Sequence, residues 1–307
     1  MHSQVGKANL LQRCDPKSLA ALAGVGLKAR YLVEGFLSGL HRSPFHGVSV
    51  EFSEYRDYHP GDDLRHLDWR LYARSDRLYV KRYTQDTNLR TYLIVDTSGS
   101  MAYAGDRAWG TKLEVASAVA AALASLMLRQ NDAVGLLTMP TGDAAGEFVQ
   151  PSQKPSQFAT LLQHFDGLAA DGGPRLAQLL NYAGRVMHRR SLVVCLSDLL
   201  EPAAELSTAF RELSFLGHEC VVLQVLDRDE LEFPFRDAGV FQDLEDGRKR
   251  MVNPANARQK YMQRFQEFMA QHEALLRTLE IPHCVIRSDS DPCAMLSRFL
   301  VTRKKRP

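Results

Sequence analysis

From Thr91 onward, short apolar runs alternate with stretches whose apolar positions recur every three or four residues. The runs are Thr91 to Val95, Ala133 to Leu137, Ser191 to Leu196, Cys220 to Leu226 and His283 to Ile286. They are continuous and rich in β-branched residues, as strands buried on both faces of a parallel sheet are. Between them, Val115, Val119, Ala122, Leu123 and Leu126 keep helical spacing, as do Phe158, Leu161, Leu162 and Phe165, and then Leu176, Leu179, Leu180 and Val186. Glu205 to Leu216 and a long segment through Tyr261, Phe265, Phe268, His272, Leu275, Leu276 and Leu279 complete the helices. The pattern predicts an α/β fold with a doubly wound, mostly parallel sheet.

The first ninety residues read differently. Leu19 to Leu40 has helical spacing, and Ser43 to Tyr83 is aromatic and punctuated by Gly and Pro. Val48, Val50 and Phe52 alternate with polar residues, and Leu78, Val80 and Arg82 do so again. Short antiparallel strands around a Pro60-Gly61 turn are expected there. Residues 1–87 are therefore expected to form an N-terminal helix and small β-rich module, and residues 88–307 the main domain. A further helix is expected over Pro292 to Leu300, followed by the basic tail Arg303 to Pro307.

Composition narrows the function classes. With 38 basic and 36 acidic residues the formal net charge is +2, so no whole-molecule field recruits nucleic acid or anionic lipid. No run approaches the roughly 18 apolar residues of a membrane span, and Lys7, Arg13, Asp15 and Lys17 interrupt the start before a signal-peptide core can form. A cytoplasmic protein with no membrane insertion is expected. Cys14, Cys195, Cys220, Cys284 and Cys293 include no Cys-x-x-Cys pair and read as reduced thiols.

In a doubly wound sheet, ligands bind outside the carboxyl ends of the strands. The candidate chemistry there is Asp96-Thr97-Ser98-Gly99-Ser100 after Val95, Asp171-Gly172-Gly173-Pro174, and Ser197-Asp198 after Leu196. A carboxylate and two hydroxyls in one tight loop make an oxygen cradle for a hard cation such as Mg²⁺ or Mn²⁺, with Asp198 as a second carboxylate acting through water. The alternative is that Ser98 and Ser100 cap the next helix while Asp96 binds backbone amides. A phosphate-ester hydrolase is a competing reading, because some phosphatases place a nucleophilic Asp after their first strand. They also need an acid two residues later, where this chain has Ser98. The motifs of P-loop, α/β-hydrolase and zinc-protease enzymes are absent, so a binding module and not an enzyme is expected.

The stretch Tyr92 to Met101 resembles the metal-ion-dependent adhesion site (MIDAS) of von Willebrand factor A domains. Further upstream, Arg42 to Phe45, Val50 to Trp69 and Ala73-Arg74 resemble domain-of-unknown-function family 58. With Ser197-Asp198, the likeness covers roughly Leu40 to Leu300. The resemblance implies a von Willebrand factor A-like domain with an N-terminal module, acting as an adaptor beside a MoxR-type AAA+ ATPase in the maturation or remodelling of a client protein. It implies Asp96, Ser98 and Ser100 as metal ligands with Asp198 acting through water, and a threonine after the paired glycines. Pro174 stands there instead, so a degenerate site that binds Mg²⁺ weakly is expected. The segment Glu51 to Trp69 sets six acidic residues against Arg56, Arg65 and its neighbour Arg70, as either a partner-docking face or internal ion pairs.

Overall fold

The computed structural model describes residues 16–40, 55–57, 79–81, 90–139, 147–173 and 175–291. They fall into two compact units, Met1–Gly39 with Leu89–Pro307, and Leu40–Asn88. The expected boundary at 87/88 is thus met by a second break near Leu40, and the N-terminal helix groups with the main domain. Within the smaller unit, β1 (Tyr55–Asp57) pairs antiparallel with β2 (Tyr79–Lys81). The second expected strand is found in place, while Val48 to Phe52 and most of Glu51 to Trp69 lie outside the described residues.

Two helices open the larger unit, α1 (Pro16–Ala20) and α2 (Val25–Leu40). The single helix expected from Leu19 is broken at Gly24, whose φ of +76° only glycine adopts freely. The α2 face carrying Leu32 and Val33 is buried. The helix is tied to the domain by the Val25 amide, which donates to Asp166 Oδ1 at 3.0 Å, and by Lys28, whose Nζ lies 3.5 Å from Glu114.

The core is one six-stranded sheet. In chain order its strands are β3 (Arg90–Val95), β4 (Ala133–Thr138), β5 (Phe148–Ser152), β6 (Leu192–Ser197), β7 (Glu219–Leu226) and, after intervening elements, β10 (His283–Arg287). In space the order is β10-β7-β6-β3-β4-β5, parallel except for β5. The five runs predicted from periodicity are the five parallel strands, with ends shifted by one residue at most. Strand β5 was not anticipated; its Pro151 lacks a ladder donor, which an edge position tolerates.

Helices cover the sheet: α3 (Lys112–Arg129), α4 (Gln157–Gly167), α5 (Leu176–Val186), α6 (Ala203–Phe215) and α8 (Pro254–Thr278), with a short α7 (Arg228–Glu232). Helix α3 starts where it does because Thr111 and Glu114 form a reciprocal capping box. The hairpin β8 (Gly239–Gln242) and β9 (Lys249–Val252) was not anticipated either. Of the thiols, Cys195 and Cys220 are buried and free, as a small hydrophobe in a strand should be.

The chain winds from β3 out to β5 on one side and then crosses back to β6 on the other. The order therefore reverses between β3 and β6, and their carboxyl ends lie side by side. This is the switch point at which such sheets open a crevice.

Truncation of the fully buried central-strand Leu93 to alanine is expected to cost about 2–5 kcal/mol. Phe215→Ala, at a side chain 91% exposed, is expected to change stability by less than about 0.5 kcal/mol. Urea denaturation of the two variants measures both.

Candidate functional site

Register brings the two predicted acids together. Val95 is paired with Leu196, so the next residues, Asp96 and Ser197, are neighbours across the ladder. The Asp96 amide donates to the Leu196 carbonyl at 2.9 Å, and the Ser197 hydroxyl donates to Asp96 Oδ2 at 2.6 Å. The other oxygen, Oδ1, accepts the Ser98 amide at 2.9 Å. Ser98 Oγ lies 3.2 Å from Ser100 Oγ, and the Ser100 hydroxyl donates to Asp198 Oδ2 at 2.7 Å. Asp96, Ser98, Ser100 and Asp198 thus form one continuous, buried hydrogen-bonded series.

Neither serine caps the long helix that follows. Ser98 begins a single 3₁₀ turn, Gly99–Ala102, without a side-chain capping bond, and the long helix that follows is capped by Thr111 instead. The serine hydroxyls point at each other and at Asp198. Asp96 does hold a backbone amide, as the alternative required, but only through one of its oxygens.

The residue that periodicity did not single out is Lys112. It is fully buried, and its ammonium donates to Asp198 Oδ2 at 2.8 Å and to Glu230 Oε1 at 2.5 Å. Burial alone would lower the lysine pKa; the two carboxylates overcome that and raise it, keeping the ammonium charged. Glu230 passes the connection on, accepting the Asp227 amide at 2.7 Å in the cap of α7. Asp227 in turn accepts the Gly105 amide at 3.1 Å and the Ser288 hydroxyl at 2.5 Å. Beyond Glu230 opens a cleft of about 680 Å³, lined by Tyr103, Phe233, Phe241 and Tyr261 among others.

Burial, with the neighbouring charge of Asp198, pushes the Asp96 carboxyl up to about 6. Glu201 shows how the fold satisfies another acid: both its oxygens accept amides at the start of α5, from Leu176 and, at 3.0 Å, from Ala177.

The third loop closes over the first. The Gly99 amide donates to the Gly172 carbonyl at 2.8 Å and the Asp171 amide to the Thr97 carbonyl at 2.9 Å. Asp171, itself exposed, turns its carboxylate back to the Gly172 amide at 2.8 Å. Pro174, where a threonine ligand is expected, lies outside the described residues. Among the described residues, no three His, Cys, Asp or Glu side chains group as metal ligands, so an ion here would depend on serine hydroxyls and water. No helix among them is long and apolar enough to cross a membrane.

The domain is a doubly wound sheet with an antiparallel edge strand and an Asp-x-Ser-x-Ser loop at its switch point, similar to that of von Willebrand factor A domains. The family model described as "Protein of unknown function DUF58" matches residues 54–274, and the chain belongs to that family. Uncharacterized protein Rv1480 of Mycobacterium tuberculosis and Uncharacterized protein Mb1516 of Mycobacterium bovis are each 30% identical over 301 residues, covering 95% of this chain and 91% of theirs. Similar solved structures include BatB from Bacteroides thetaiotaomicron, with a TM-score of 0.47, 13% identity and coverage of 71% of this chain and 99% of that one. An aerotolerance-related membrane protein from Bacteroides fragilis gives 0.48, 15%, 70% and 99%.

Replacing Lys112 by methionine keeps the volume but leaves Asp198 and Glu230 buried without their cation. A loss of about 3–5 kcal/mol in urea denaturation is expected. A second expectation concerns pH in the presence of EDTA. Because the fold raises the Asp96 pKa, it favours the protonated carboxyl; that group's contribution is full below the ordinary carboxylate range and is lost as pH rises through about 6. Between pH 4 and 6, Asp96→Asn should therefore show a stability that falls less with rising pH than that of the wild type.

Proposed function

We propose that this protein is a non-enzymatic, protein-binding adaptor whose Asp96 loop holds Mg²⁺ or Mn²⁺ and receives an acidic side chain from a partner. The observation that carries the reading is the convergence of Asp96, Ser98, Ser100 and Asp198 at the switch point of the sheet.

The chemistry of the donors fits a hard divalent cation. All are oxygens, in the number and kind that Mg²⁺ accepts when it keeps several waters. Asp96, Ser98 and Ser100 would be the direct ligands. Asp198 already accepts Ser100, Lys112 and the Leu200 amide, which suits a carboxylate acting through water. Charge also favours a cation: Asp96, Asp198 and Glu230 set three buried or nearly buried carboxylates against the Lys112 ammonium, and desolvation makes an uncompensated carboxylate costly. The bound ion would supply a Lewis-acidic point of attachment for a carboxylate from outside.

A MoxR-type AAA+ ATPase is the proposed partner, with a client protein as the third member; this rests on the family likeness in Ser43 to Trp69 and Asp96 to Met101. A metal-dependent phosphate-ester hydrolase is the second reading. Lys112 favours it, since a buried ammonium beside the site carboxylates can stabilise a transferring phosphoryl group, but position 98 still holds a hydroxyl where a proton-transferring acid is needed. Turnover of a generic phosphate ester that disappears in Asp96→Asn would replace the first reading by the second.

Millimolar Mg²⁺ is expected to raise the melting temperature of the wild type and leave Asp96→Asn unmoved, because only a site in the folded chain couples binding to stability. Pro174→Thr should tighten Mg²⁺ by roughly 10- to 100-fold, the usual worth of a restored oxygen ligand or its support. Affinity capture with the AAA+ ATPase as bait, in both nucleotide states and with Mg²⁺ or EDTA, tests the partner. Mg²⁺-dependent capture is expected; no capture in any condition refutes it.

A further inference from the structure

The tip of the β8–β9 hairpin rests on the Asp96 loop. A Cβ built on Gly99 would lie 2.2 Å from the Leu244 carbonyl oxygen, so only a glycine admits so close an approach of the two backbones. The tip is stiffly built: Asp243 Oδ1 accepts the Glu245 amide at 2.8 Å, the Asp243 amide donates to the Arg248 carbonyl at 2.8 Å, and Gly247 takes a φ of +72°. Its base is anchored by Phe241, stacked on Phe233 and edge-on to Phe235. Asp243, Leu244, Asp246 and Gly247 are all exposed, yet Glu245 among them is half-buried. Among the described residues its carboxylate has neither a hydrogen bond nor an ion pair. Burial first, and then the charges of Asp198, Asp243, Asp96 and Glu201, push that carboxyl up to about 7.

Of the tip's three acids, Asp243, Glu245 and Asp246, only Glu245 is withdrawn from solvent. A carboxyl so placed beside other acids is held at neutral pH either by keeping its proton or by sharing a cation. The Lys112 ammonium is already shared by Asp198 and Glu230, and Glu245 stands off from the aspartates without joining them in a ligand group.

We propose that Glu245 is an intramolecular ligand for the cation held by the Asp96 loop, so that the β8–β9 hairpin is a latch which a partner's carboxylate must displace. The inference rests on the proposed metal site and adds its regulation. A carboxylate from the hairpin does in cis what the partner's acid does in trans, directly or through one of the ion's waters. The exposed cross-strand pair Val240 and Met251 leaves the hairpin's outer side free to move away from the loop.

The test uses the full-length chain and Mn²⁺ alone, counted by the paramagnetic resonance of the free aqueous ion, together with hydrogen exchange of residues 239–252. Glu245→Gln changes one side chain on a surface hairpin. The latch predicts that Mn²⁺ slows exchange in the wild-type hairpin, and that Glu245→Gln binds Mn²⁺ about 10-fold more weakly and loses the slowing. Equal Mn²⁺ binding by wild type and Glu245→Gln, with hairpin exchange unchanged, overturns the latch while leaving the metal site standing. Absence of Mn²⁺ binding in both proteins, and in Asp96→Asn, overturns the metal site and the latch with it.

Discussion

Two carboxylates, Asp96 and Asp198, are buried at adjacent strand ends with one ammonium, Lys112, between one of them and Glu230. The surrounding structure is arranged about the cost of that charge. Amides of Ser98 and Leu200, hydroxyls of Ser100 and Ser197, and the lysine each occupy a carboxylate lone pair. Such a cluster is poor as a source of stability, because desolvation consumes most of the Coulombic gain. Its placement at the one point where the sheet reverses order argues for use in binding.

The same cluster ties distant parts of the chain together. Lys112 opens helix α3, Glu230 and Asp227 belong to the start of α7, and Ser288 follows the last strand; all join one hydrogen-bonded series that begins in the Asp96 loop. Interiors of this density and polarity do not deform gradually. The series reaches the aromatic cleft at Glu230, which lines it.

Much of this was legible in the chain. Parallel strands buried on both faces are runs of Val, Leu and Ile with few competing interpretations, and each of the five was placed. Asp96, Ser98, Ser100 and Asp198 follow from the rule that function gathers at strand carboxyl ends, and the fold does bring them together. Edge strand β5 escaped because Pro151 and Gln150 break its apolar pattern, and hairpin β8–β9 escaped because a two-stranded ribbon exposed on one side has no continuous apolar run. Lys112 was legible but passed over: it falls on the apolar stripe of its helix, in step with Val115, Ala116 and Val119, where a charged residue needs a buried partner. Of the two acids that meet it, Glu230 follows the end of β7 and obeys the strand-end rule that found Asp198. Glu245 left no such mark, because only the fold shows which way a hairpin tip leans.

Under the proposed function, a divalent cation supplies the charge this cluster lacks. A cation that binds Asp96 must displace its proton, so binding and ionisation are linked. Mn²⁺ titration calorimetry, repeated in buffers of different ionisation enthalpy, measures the protons released. With the Asp96 carboxyl held at about 6, substantial proton release is predicted at pH 6, declining towards pH 8 and absent in Asp96→Asn. Mn²⁺ binding that releases no protons at any pH across this range, or that survives Asp96→Asn unchanged, would contradict the account.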